Sequence, residues 1–279
     1  DNNRKQAYAP QGAQAIPNPN GTAPGLIVED PRGLIICMPG VPRELIPMLN
    51  DQVIPYLLKR FDIREKLYCR TLKVCAVGES KVDALIGDLI QESTNPKIGL
   101  LASPDAVRIR LSVRSDSPKI AEKLLDELHQ KINQRIPGCI MGTDNDTLET
   151  VVNTLLAQNN WTLSLAETGT GGLLGHRMTL ARATQFKGGL TLPLAEVSNL
   201  EHDFDLIRER LQKLFDTDCY LILLADPDTN SSYVQLNTPT AKRQWQYGFA
   251  ACDELNTLRS VTIALEHTRR CLLGIPDDI

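Results

Sequence analysis

No stretch of this 279-residue chain approaches the run of roughly 18 apolar residues that a membrane-crossing helix needs. No signal-peptide pattern is visible either, so no membrane partner is expected and a cytoplasmic location is. The seven cysteines are scattered and odd in number and form no C-x-x-C pair, which excludes a disulfide scaffold and fits a reducing compartment. The four histidines lie far apart and make no metal-ligand pattern. An excess of positive charge is also lacking. The formal net charge is −4, which argues against nucleic acid as the main partner.

What is present is an ordinary globular composition, 42% hydrophobic and 23% charged, enough to build sizeable cores. The length suggests two or three domains. The chain is organised around Asn18 to Leu45, NPNGTAPGLIVEDPRGLIICMPGVPREL. Gly21 to Gly25 holds two glycines, which let backbone N–H groups approach a ligand closely. Gly33 to Met38 has the length and composition of a buried strand. Pro39-Gly40 turns the chain, and Pro42 stands where a helix would begin. A strand that turns on glycine into a helix start is a ready anion site. Spacing alone equally describes two Pro/Gly turns flanking a core strand.

The segments GTAPG and MPGVPREL, with NNRKQA and PQGA upstream, resemble the competence/damage-inducible CinA family in their residues and order. The resemblance implies an α/β fold in three parts. Residues 1–62 would be the C-terminal part of a molybdopterin-binding-like domain, 65–142 an α+β KH-like domain, and 146–275 an α/β CinA C-terminal, amidase-like domain. It also implies ADP-ribose pyrophosphatase chemistry in the first domain, with a nucleotide-type small molecule as ligand. The nucleotide contacts would come from Asn20, Gly21, Thr22, Ala23, Pro24, Gly25, Pro39, Gly40, Pro42 and Glu44. A divalent metal is compatible with that domain when complete, and a homo-oligomer is left open. The first domain is expected to be truncated at its N-terminus and to be the least stable part.

The remaining pattern is read from periodicity. A helix is expected over 43–60, interrupted by Pro47 and Pro55, with Leu45, Met48, Leu49, Val53, Tyr56 and Leu57 facing the core. A strand over 72–77 leads through Gly78-Glu79-Ser80 into a helix, with Ser80 as its N-cap. Strands follow over 98–101 and 107–113, then a long amphipathic helix from Ser117-Pro118 to about 136. This order resembles the KH-like middle domain of the same family. RNA-binding KH domains clamp the nucleic acid backbone with a GXXG loop. Here the corresponding turn, Gly78 to Lys81, has no second glycine, and Arg108, Arg110 and Arg114 read as a solvated strand face.

Residues 142–147 read as a boundary. Thr147 is expected to cap a helix over 148–158, with Thr150 breaking the usual capping box. A strand over 162–166 then enters Glu167-Thr168-Gly169-Thr170-Gly171-Gly172 and a helix to 179. This turn resembles the family's Ala-Glu-Ser-(Cys/Ser/Thr)-Thr-Gly-Gly motif, which belongs to a nicotinamide-nucleotide amidase when active. The resemblance places Thr168 at the nucleophilic serine position beside Glu167, with Thr170, Gly171 and Gly172 completing the turn. A threonine hydroxyl needs a base to act as nucleophile. The family's assisting tyrosine and lysine fall on Pro193 and Ser198, and Lys187 is out of line with the base. Ala225-Asp226-Pro227-Asp228 replaces the family's glycine loop. Loss of amidase activity is therefore expected. The open alternatives are a non-catalytic binding or scaffold protein and an amidase that uses Thr168. Strands over 233–236 and 243–249 and a helix over 255–273 are expected to close the chain.

Overall fold

A computed structural model describes residues 8–103, 106–193, 200–226, 230–248 and 253–276, without the side chains of 200–202. It divides into two compact units, residues 1–66 and 67–279.

The first unit is a three-stranded sheet in the order β1 (Gln14–Ile16), β2 (Gly25–Asp30), β3 (Gly33–Cys37), antiparallel throughout. The sequence pattern leads to one strand here, set in a mixed sheet. Instead GLIVED also pairs, and Asp30–Gly33 closes a hairpin. Nor is β3 a buried strand. It is an edge strand that turns Leu34 and Ile36 toward the core and leaves Ile35 and Cys37 exposed. The expected helix is interrupted as its prolines require: α1 (Pro42–Met48), a π-helical turn over Leu49–Val53, then α2 (Ile54–Arg60). Ile16, Ile27, Met48 and Val53 form a small core.

The second unit holds two sheets. The first runs β5 (Lys97–Ala102), β6 (Val107–Ser115), β4 (Lys66–Val74), β7 (Ile140–Thr143). Helices α3 (Glu79–Glu92) and α4 (Pro118–Arg135) contribute Val82, Ile86, Ala121, Leu125, Leu128 and Ile132 to its core. Strand β6 alternates strictly, Val107, Ile109, Leu111 and Val113 inward and the arginines outward. Gly78, not Ser80, is the N-cap of α3, because Ser80 already lies inside the helix. Strand β7 falls partly in the stretch read as a boundary.

The second sheet is mixed, in the order β12 (Lys242–Tyr247), β11 (Ser231–Asn237), β10 (Cys219–Asp226), β8 (Leu163–Thr168), β9 (Phe186–Leu192). Strands β8, β9 and β10 are parallel, while β11 and β12 return antiparallel. Strand β8 is wholly buried, as the centre of a covered sheet must be. Helices α5 (Leu148–Gln158), α6 (Leu173–Leu180) and α8 (Glu254–Leu273) share one core with it, and α7 (Leu200–Phe215) packs in a second. The capping box of α5 is intact after all. Thr147 accepts from the Thr150 amide, and Thr150 Oγ1 accepts in return from the Thr147 amide, so a threonine does the work of the usual glutamate. Strand β9, unread in the sequence, carries Gly188-Gly189 because Phe215 and Leu165 occupy the space of their side chains.

The two modules of this unit are joined by α8. Glu266, Arg269 and Arg270 are all but fully buried on it and form a hydrogen-bonded ion cluster. Arg269 also donates to the Gly138 carbonyl at 2.6 Å, while Arg270 donates to the Pro276 carbonyl and, at 3.8 Å, to Cys139 Sγ. The buried charges are thereby supplied with partners, without which each would cost several kcal/mol.

Candidate functional sites

The hairpin β2–β3 settles where the two opening loops go. Because Leu26 pairs with Cys37, the loop that enters β2 and the loop that leaves β3 lie at the same end of the sheet. Asn18 ties them together. Its Nδ2 donates to the Ala23 carbonyl and to Glu44 Oε2, each at 2.8 Å, and its Oδ1 accepts from the Asn20 amide at 3.1 Å. Asn20 Nδ2 adds a bond to the Arg43 carbonyl at 3.1 Å. Asn20, Gly21, Thr22, Pro24, Gly40 and Pro42 are exposed, and Ala23, Pro39 and Glu44 are half-buried. Gly25 is buried between Ile16, Met48 and the Cys37 carbonyl. Gly21 leaves room for the Glu44 carboxylate, whose place a methyl group there would take. The glycines of this stretch thus also have internal reasons to be small. Asn18 was not among the residues expected to form the site. An Asn two residues before another turn residue is the usual signal of such a side-chain turn.

A divalent metal finds no fitting donor set here. Glu44 is the only carboxylate among the loop residues named, and an amide N–H is directed at it. Among the described residues no group of three or more His, Cys, Asp or Glu side chains is placed to hold a metal ion.

The second turn is of a different kind. Thr168 ends β8, and Gly169, Gly171 and Gly172 all take positive φ before α6 begins. At Gly169, φ is +74°, and a Cβ would stand 2.5 Å from the Ala225 carbonyl, so no other residue fits. Glu167 is 1% exposed and turns its carboxylate back onto the helix start. It accepts from the Leu174 amide at 2.9 Å, the Gly175 amide at 2.8 Å and the Thr170 hydroxyl. A carboxylate there satisfies amides that the helix leaves unpaired and complements its dipole.

Thr168 is 1% exposed and its hydroxyl faces the Ala225 carbonyl at 3.4 Å, an acceptor that cannot serve as a base. Thr170 is spent on Glu167. Lys187 is at the wrong end. In the parallel register Phe186 pairs with Leu163 and Leu192 with Thr168. Lys187 therefore lies roughly 15 Å along the strand from Thr168, and its ammonium donates to the Thr184 carbonyl. Pro193 follows β9 at the surface. Ser198, Pro227 and Asp228 lie outside the described residues, and Ala225-Asp226 continue strand β10 in place of a bare turn.

The Gly78–Lys81 turn does not project freely. Gly78 and Glu79, with Ser103 opposite, face Arg259, Thr262 and Ile263 of α8 across a cavity of about 390 Å³.

Residues 69–142 match the family model described as the Damage-inducible protein CinA KH domain. The chain is 40% identical over 177 residues to a putative competence-damage inducible protein of Caldicellulosiruptor bescii, covering 63% of this chain and 43% of that one. It is 43% identical over 178 residues to one of Moorella thermoacetica, covering 64% and 43%. The chain thus spans less than half the length of these curated relatives. Among solved structures, a CinA superfamily protein from Klebsiella pneumoniae aligns at 17% identity and TM-score 0.37, over 46% of this chain and 96% of its own.

Proposed function

Because the chain belongs to the CinA family, we propose that it carries a nucleotide-facing pair of loops in its first unit and a C-terminal module that has kept the amidase fold without the amidase. One observation carries the second half of this reading. Thr168, at the nucleophile position the resemblance implies, is 1% exposed and its hydroxyl is turned to the Ala225 carbonyl. Amide hydrolysis needs an accessible nucleophile, a base within hydrogen-bond reach and free donors for the oxyanion. Thr168 is buried, and the hydroxyl's partner is a carbonyl and not a base, so the first two conditions are unmet among the described residues.

The first half rests on the family resemblance and on the convergence of the loops through Asn18 and Glu44. Gly21 and Gly40 are exposed and carry no side chain, so their backbone is open to close approach by a phosphate, the ligand chemistry that ADP-ribose pyrophosphatase ancestry implies. The module bearing Glu167 is then left with a binding or assembly role of its own.

The test has two arms. Incubated with nicotinamide mononucleotide, the chain is expected to release no ammonia above a protein-free blank. Turnover that Thr168→Ala abolishes would overturn the reading. Titrated with ADP-ribose, amides of 18–25 and 39–44 are expected to shift in NMR spectra. Shifts confined to the second unit would refute the first half.

A further inference from the structure

A second cavity of about 520 Å³ opens beside the KH-like module, and no motif led to it. Strand β4 with the residue that follows it, and strand β7, supply one side through Lys73, Cys75 and Met141. The starts of α5 and α8 and the end of α6 supply the other, including Leu148, Arg177 and Leu258. It lies wholly within the second unit, at the seam between its two modules. Its volume falls in the range of roughly 300–1,000 Å³ typical of small-molecule sites, which favour such junctions.

The chemistry of the walls is uneven. Cys75, Met141 and Leu148 are buried and make an apolar floor. Arg177 is already committed, ion-paired with Glu149 and donating to Thr262 Oγ1 at 3.0 Å. Lys73 is not committed in this way. Among the described residues its ammonium donates once, to the Asp146 carbonyl at 2.7 Å. An ammonium has three donors, so two remain to be used. Two carboxylates also line the space, Asp146 and Glu149. Asp146 is turned to the Thr143 amide at 2.8 Å. With Glu149 paired to Arg177, Lys73 and Asp146 leave no surplus positive charge to hold a doubly charged group such as a phosphate, whereas a single negative charge can be held at Lys73.

We propose that this cavity is a binding site for a small monocarboxylic acid with an apolar body, its carboxylate on Lys73 and its body on the Cys75–Met141–Leu148 floor. Both modules contribute to it, so occupancy would bind one to the other across the seam.

The probe is 4-phenylbutyrate, with neutral 4-phenylbutanol as its comparison, titrated into the full chain and followed by NMR and calorimetry. Saturable shifts are expected at amides near Lys73, Leu148–Thr150 and Arg177. Lys73→Met should weaken the acid about two- to fivefold, the value of one partly exposed charge pair, and leave the alcohol unchanged. Leu258→Trp should block both by filling the space. If that variant fails to fold, Leu180→Trp at the exposed rim replaces it. The proposal is overturned by an absence of saturable cavity shifts, by binding that persists in the filled variant, or by acid binding that Lys73→Met leaves intact.

Discussion

Twice this chain leads a strand through a glycine-bearing turn into a helix, and twice a glutamate of its own attends the turn. Glu44 stands half-buried and joins two loops through Asn18, leaving most of the turn's backbone at the surface. Glu167 stands fully buried and is consumed by the helix start itself. The motif is similar and the consequence opposite. A turn can receive a ligand only where its donors are both unpaired and hydrated, and burial decides that more firmly than the residue names do.

The largest expected effect tests how closed the second unit is. Burial, with Asp218 and Cys271 nearby, pushes the Cys219 thiol from the ordinary 9.0 up to about 12. Folding therefore opposes its ionisation, and the associated stability is present below pH 9 and lost as pH rises from there toward 12. At neutral pH this leaves about a thousandfold less thiolate than an ordinary cysteine, and labelling falls in proportion. Cys37 in the first unit is exposed and should react at once with iodoacetamide. Mass spectrometry showing Cys219 labelled alongside Cys37 in the native state would break the comparison.

Next comes Glu167→Ala. It removes three charge-assisted hydrogen bonds and leaves buried donors without partners, at a cost of about 3 kcal/mol. Both tryptophans, Trp161 and Trp245, lie in the second unit, so their fluorescence during urea unfolding reads that unit alone. An unchanged midpoint would mean that the helix start is not held as described. Gly169→Ala should cost about 2 kcal/mol in the same assay, from positive φ and the crowded Ala225 carbonyl. The smallest effect belongs to the open turn. Glu44→Ala should cost only about 0.5–1 kcal/mol, seen as faster hydrogen exchange at 18–25 while the tryptophan transition stays in place. A shift in that transition would show the two turns to be less separate than their environments suggest.

Much of the architecture was legible because it rests on periodicity. Strand β6 and helices α4 and α8 announce themselves by which residues repeat, and Pro47 and Pro55 mark the interrupted helix of the first unit. The misses were local substitutions of one device for another. GLIVED, which follows directly on a Gly/Pro loop, forms a strand because a hairpin partner lies three residues on. Thr150 closes a capping box that a pattern reserved for Glu or Gln overlooks. At the sites, the family resemblance implies that Thr168 stands at a serine position and that a base is missing from its expected place. It does not show that the neighbouring Glu167 turns inward, since an exposed and a buried glutamate look alike in a string. The seam cavity was out of reach for a simpler reason. Lys73, Leu148 and Leu258 meet only through tertiary packing.

The ion cluster on α8 has a consequence for how the protein is made. Synthesis delivers the KH-like module first, and domains generally fold as they emerge. Its turn at Gly138 and Cys139 must then wait for partners that lie more than a hundred residues downstream, on α8. Until Arg269 and Arg270 leave the ribosome, the module stands alone with its seam face uncovered. Helix α8 therefore sets the order of events at the seam: the two modules of the second unit can dock only after it has been translated.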